Sequence, residues 1–323
     1  MTGEFTWGYK ATNKVYTKAV DAVAQTPGVL GAAAAAAAYS DNKSGFGVDY
    51  SNINFMASED LGGGTKVSVL MGFDGADRSQ DGGSALTGQN ANITLTNGAS
   101  KLVLATAQND DYLSEGVAGL GNPVWIDQDG HVFSAHTNSD SITYSYNMGA
   151  ITLGYQFLEA AADINEGAGL AGSTSQARNL IQATYAAGPL KANIGFGTYN
   201  NEVDASTSTS KSLARFSASY DLGMAKVGAG YYNTKKTVGS NVDTFVAVAV
   251  PVGALTLGAD WAQRKTDFDG TKTGDGTTSG YGVGAAYALS KRTQLVANYR
   301  TWEGVVGATD KSTDTRLYID HSF

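Results

Sequence analysis

The stretch DTRLYIDHSF, residues 314–323, sorts into two faces: Leu317, Ile319, His321 and Phe323 share one parity, and Arg316, Tyr318, Asp320 and Ser322 the other. A period of two with one apolar and one wet face is the signature of a β-strand. A strand carries unpaired backbone donors and acceptors along its edges, so this one must pair with something. The same alternation recurs along the chain. ITLGYQF sets Ile151, Leu153, Tyr155 and Phe157 against Thr152, Gly154 and Gln156. LKANIGF sets Leu190, Ala192, Ile194 and Phe196 against Lys191, Asn193 and Gly195, and LTLGADW sets Leu255, Leu257, Ala259 and Trp261 against Thr256, Gly258 and Asp260.

Two kinds of connection separate these segments. The short ones are LGGG (61–64), NGAS (97–100), MGA (148–150), AGP (187–189), LGM (222–224), VGA (252–254) and LSK (289–291). The long ones are polar, among them LEAAADINEGAGLAGSTSQ, NNEVDASTSTSK, NTKKTVGSN and RKTDFDGTKTGDGTTSG. Short and long alternate, which predicts tight turns at one end of the structure and elaborated loops at the other.

Composition narrows the class. The 323 residues include 41 Gly, only 4 Pro and no Cys, with 42% hydrophobic and 16% charged residues. Mean hydropathy is slightly negative, and no stretch has the ~18 consecutive apolar residues of a spanning helix. The nearest, residues 19–39, contains Asp21, Gln25 and Pro27 and reads as a loop with a short helix in its alanine run, 32–38. A net charge of −8 with no basic clusters excludes nucleic acid as a partner, because tracking phosphates requires clustered Lys and Arg. The opening MTGEF shows no basic and apolar leader, so the expectation is an export signal absent from this sequence.

Counting alternating segments gives about sixteen strands of roughly ten residues, the length and even number of a bacterial membrane barrel. Strands of a soluble sandwich are nearer five or six residues. In hydrocarbon every backbone group must be satisfied internally, which only a closed sheet achieves. The pattern therefore predicts an all-β, transmembrane antiparallel β-barrel over residues 1–323 in which the last strand pairs with the first and Phe323 faces outward.

SEDLGGG (58–64), SKRTQLVANY (290–299) and the terminal IDHSF together resemble the sixteen-stranded trimeric general diffusion porins of Gram-negative bacteria. The resemblance implies an outer-membrane channel for small hydrophilic solutes and a homotrimer set among outer-membrane lipid and lipopolysaccharide. It also implies Phe323 as the signal read by the barrel-assembly machinery. In such porins the third long loop folds into the lumen; here that is residues 109–140, with Asp110, Asp111, Glu115, Asp127 and Asp129 and no Lys or Arg. The family pattern sets these carboxylates against a basic wall, for which inward parity nominates Lys10, Arg300 and Arg316, with Arg264 and Lys66 less central. Relatives carry basic residues where this chain has Asn52, Met56 and Thr106, so the wall is thinned and a mild cation preference is expected. A substrate-preferring porin and a non-conducting structural or adhesive barrel are the alternatives.

Other motifs compete with plainer readings. The Asp127-x-Asp129-Gly core of DQDGH suits calcium, but a complete loop would need Glu at 138, which is Asn; the alternative is a solvated acidic turn. His131 and His136 are spaced for neither a helix face nor a strand face and lack a third ligand, which argues against zinc. GGG (62–64) and GLG (119–121) match no phosphate loop. Inward glycines Gly228, Gly230, Gly282 and Gly284 read as sites of strand curvature. With three His and none inward on a strand, a barrel enzyme lacks its base, so no catalysis is expected.

Overall fold

The computed structural model describes residues 1–16, 39–75, 87–108, 111–121, 123–124, 132–133, 138–159, 177–200, 210–267, 276–304 and 311–323. Its strands are β1 (Thr2–Tyr16), β2 (Tyr39–Gly62), β3 (Thr65–Asp74), β4 (Thr87–Asn97), β5 (Ser100–Gln108), β6 (Asn138–Met148), β7 (Ile151–Glu159) and β8 (Arg178–Ala187). They continue with β9 (Leu190–Tyr199), β10 (Ser210–Asp221), β11 (Lys226–Lys236), β12 (Ser240–Val252), β13 (Leu255–Asp267), β14 (Gly276–Ala288), β15 (Thr293–Glu303) and β16 (Lys311–Ser322). Each pairs antiparallel with its chain neighbours, and β16 pairs with β1, Arg316 opposite Lys10, so the sheet closes into a barrel. The closed antiparallel architecture is the one the alternation predicts.

Parity sets what each strand shows. Leu153, Ile194, Leu257 and Leu317 stand exposed on the outer face, where lipid takes the place of water. Their neighbours Thr152, Asn193, Thr256 and Arg316 point inward. Phe323 lies on the outer face as well; its backbone N–H and C=O exchange hydrogen bonds of 2.9 and 3.0 Å with Gly3 and complete the β1–β16 edge.

The short connections are tight turns, all at the end that also holds the chain termini. At the β6–β7 turn Gly149 takes φ 78°, and its N–H donates to the Asn147 side chain at 2.8 Å. Gly223 repeats the device with Asp221 at the same distance. Among the described residues the alternation of short with long connections breaks at NTKKTVGSN, which is not a loop. β11 runs through Lys236, β12 begins at Ser240, and Lys236 N–H closes onto Gly239 C=O at 3.0 Å. Near the rim both strand faces meet water, so this hairpin carries no apolar alternation and its polarity imitates a loop. The alanine run at 32–38 lies outside the described residues.

One irregularity positions a functional side chain. The β1–β2 register shifts between Thr6 and Trp7, so Asp49 is the extra residue between Val48 and Tyr50. A bulge re-aims the side chain it inserts; the Asp49 carboxylate reaches Arg316 on the inner wall at 3.2 Å.

Candidate functional site

The inner wall is not polar all round. Phe245, Ala247, Ala262 and Trp302 point inward from β12, β13 and β15, and they form a buried cluster with Leu113, Ala118, Val132 and Phe133 of the connection between β5 and β6. A hydrophobic core thus lies inside the barrel, between wall and connection. Its seat is made of glycine. A Cβ built at Gly228 would meet the backbone of Ala118, one at Gly230 the side chain of Leu113, and one at Gly282 the side chain of Val124. These glycines are therefore sites of close approach, which corrects the reading that they serve strand curvature.

The connection is also fastened by polar contacts. The Tyr112 hydroxyl donates to Asn193 Oδ1 at 2.9 Å and accepts from Ser217 Oγ at 3.2 Å. The Arg215 guanidinium lies 4.1 Å from the Tyr112 ring centre. Burial raises the Tyr112 phenol above its ordinary value, so it stays protonated at neutral pH. Farther on, Asn298 Nδ2 donates to Pro123 C=O at 3.2 Å. Between these anchors a 3₁₀ turn, Val117–Gly119, ends at Leu120 with φ 63°, a left-handed conformation costly for a branched side chain. Leu120 packs against the apolar cluster, which offsets that cost.

The two described acids of the connection are occupied locally. Asp111 Oδ1 accepts from Leu113 N, Ser114 N and Ser114 Oγ at 2.6–2.9 Å, while Glu115 Oε2 accepts from Asp111 N at 2.7 Å. The two side chains cap the turn reciprocally, with the Glu one residue later than in a capping box, and Asp111 serves as a backbone cap. Glu115 remains exposed. Asp110, Asp127, Asp129, His131 and His136 lie outside the described residues, and with them the calcium reading. Among the described residues no group of three or more His, Cys, Asp or Glu is placed to hold a metal.

The nominated basic residues divide into separate settings. On β15–β16–β1, Asp314 gathers Arg300 Nη2 at 2.7 Å, Arg316 Nη2 at 3.0 Å and Lys10 Nζ at 3.8 Å. The Arg300 side chain is 0% exposed, Arg316 5% and Lys10 25%. Arg300 is therefore a buried structural cation beside Val124 and Gly282, whereas inward parity alone nominates it for an open wall. Arg264 makes a two-pronged pair with Asp243, 2.6 Å at both contacts, and lies 5.9 Å from the Phe133 ring centre, so it sits under the connection and not across from it. Lys66 stands opposite Asp60 at the tight-turn end. Thr106 does not point inward at all: it shares the outer face with Leu104 and bonds Asp140, so it says nothing about a thinned wall.

Two arginines escape the sequence reading. Arg178 on β8 and Arg215 on β10 point inward, and each donates to a glutamine, Gln156 at 2.9 Å and Gln182 at 2.8 Å. The signal available is inward parity on β8 and β10, on a wall where the porin resemblance nominates no basic residue.

Comparison with known proteins agrees with this geometry. A sequence profile described as Gram-negative porin matches residues 8–304. No curated protein sequence matches. Among solved structures, the anion-selective porin from Comamonas acidovorans superposes with a TM-score of 0.69 at 18% identity, over 100% of this chain and 99% of that one. Two engineered variants of the Rhodopseudomonas blastica porin superpose at 0.61 and 14% identity, over 100% of both chains. The match over most of its length and the closed barrel that goes with it place this chain in the Gram-negative porin family, in the bacterial outer membrane.

Proposed function

We propose that the chain forms a water-filled channel through which small hydrophilic solutes cross the outer membrane passively, narrowed where the third long connection lies against the inner wall. The observation that carries this reading is the glycine-floored seat: Ala118 on Gly228 and Val124 on Gly282, inside a closed barrel. A barrel with a purely structural or adhesive role has no need of a chain segment stowed along its interior. Family membership supports assembly as a homotrimer among lipid and lipopolysaccharide, with Phe323 read by the assembly machinery. A cation preference is not part of the reading. Asp111 is spent as a cap, Asp314 and Asp243 are engaged by the nearest cations, and a solved porin of the same fold is anion-selective.

Liposome swelling tests the proposal. Vesicles holding the purified protein should swell in iso-osmotic monosaccharide at a rate linear in concentration, and more slowly as sugar size increases. Vesicles that do not swell in any sugar would favour the structural barrel; a rate that saturates would favour a substrate-preferring porin.

A further inference from the structure

On β13, β15, β16 and β1 each inward cation has a carboxylate in ion-pair range: Arg264 has Asp243, Lys10, Arg300 and Arg316 share Asp314, and Arg316 also reaches Asp49. Arg178 and Arg215 differ. Arg178 has the Gln156 amide and the Tyr199 phenol as side-chain oxygen partners, Arg215 has the Gln182 amide, and neither has a carboxylate in ion-pair range among the described residues. In each guanidinium the Nε is buried and unbonded. The two lie within electrostatic reach of one another, and Tyr112, Tyr199 and Tyr232 surround them. Gly195 makes the arrangement fit: a Cβ there would stand 3.0 Å from Arg215 Nε, so the guanidinium lies across the β9 backbone toward Gln182. Neither residue is fully buried, so each keeps part of its surface toward the lumen.

Two guanidiniums held together without an anion repel each other, and buried donors left unbonded cost free energy. An oxyanion relieves the repulsion: it compensates the charge and accepts from the guanidinium N–H groups that still face the lumen. Carboxylate geometry matches a guanidinium fork, which a spherical ion does not. We infer that Arg178 and Arg215, with Gln156, Gln182 and Tyr199, form an anion site on the β8–β10 wall that takes the carboxylate group of a small organic acid. The site deepens the channel reading by giving the lumen a resting place for acids, beside the Tyr112 anchor and away from the Asp314 cluster.

The test is equilibrium binding of citrate to the detergent-solubilised barrel at about 10 mM ionic strength, where screening is weak. Wild type should bind saturably, and Arg178→Gln and Arg215→Gln should each weaken binding about tenfold or more, as expected for loss of a charge-assisted hydrogen bond. Arg178→Lys/Arg215→Lys keeps the charge and removes the forks, and should fall between. Equal binding by wild type and Arg178→Gln/Arg215→Gln, or no saturable binding by wild type, would overturn the site. Arg215→Gln also removes the stacking on Tyr112; if it fails to form a heat-modifiable barrel, Arg178→Gln alone decides, by the same tenfold criterion. The assay needs no conduction, so a failure of sugar permeation would count against the channel and not against the site.

Discussion

Gly228→Leu sets the barrel wall against the connection it carries. The new Cβ would occupy the position of Ala118 backbone atoms, which cannot rotate aside as a side-chain end can. Overpacking of this kind costs about 1–3 kcal/mol. Opposing displacement is the Tyr112 anchor: its two hydroxyl hydrogen bonds contribute about 1 kcal/mol each, and stacking by Arg215 about 1 kcal/mol more. Burial of Leu113 and Ala118 in the apolar cluster adds to this anchor, so the single variant should hold residues 111–121 off the wall only part of the time. Gly228→Leu with Gly282→Leu should do so most of the time. The backbone ladders do not run through the connection, so the heat-modifiable gel shift should persist in both. Displacement pushes the connection toward the barrel axis, and single-channel conductance in about 1 M KCl, where surface charge is screened, should fall while open-channel noise rises. Gly45→Leu is the control, because nothing lies within 4 Å of a Cβ at that position. It adds the same side chain where the Cβ meets open space beside Lys10, and its channels should stay quiet. Wild-type conductance and wild-type noise in both Gly228→Leu and the double variant would refute the reasoning.

Three further outcomes follow from the same geometry. Leu153→Arg and Leu257→Arg, on the lipid face, should cost about 2–4 kcal/mol in a folding titration, while Thr152→Arg and Thr256→Arg should cost less than about 1; equal costs at both parities would contradict the register. Asp314→Asn takes the shared charge from Arg300, Arg316 and Lys10 and should lower unfolding free energy by about 3–5 kcal/mol, measured as the urea midpoint in detergent; an unshifted midpoint would mean the cluster is not a stabilising one. Tyr112→Phe keeps the ring on Arg215 and removes the hydroxyl, so it should loosen the anchor by about 1–2 kcal/mol and raise channel noise without changing barrel yield; quiet channels would show that the hydroxyl bonds do not hold the connection.

The barrel was legible because its two strongest constraints act on single residues. A strand between lipid and water has to alternate, as Leu153, Thr152 and their neighbours do, and a tight turn has to supply a residue such as Gly149. The interior was harder, since inward parity does not distinguish a side chain facing open water from one covered by another segment. Arg300 and Lys10 share that parity, yet one is buried and the other partly exposed. Charge type is equally silent about partners: Asp111 reads as a pore acid and serves as a backbone cap. One clue was available. On β12, Phe245, Ala247 and Ala249 are apolar on the face that should be wet, opposite the β11 positions Gly230 and Gly228. Apolar residues and glycines at inward positions mark where a second piece of chain must lie.

The most direct test of the account is single-channel conductance of the intact protein beside a variant lacking residues 112–121, both in planar bilayers at about 1 M KCl. Discrete steps from the intact chain, and larger steps from the deletion with the barrel's gel shift preserved, are the expected result. Equal steps from the two proteins would contradict a channel narrowed by its third long connection, and silence from both would contradict a channel altogether.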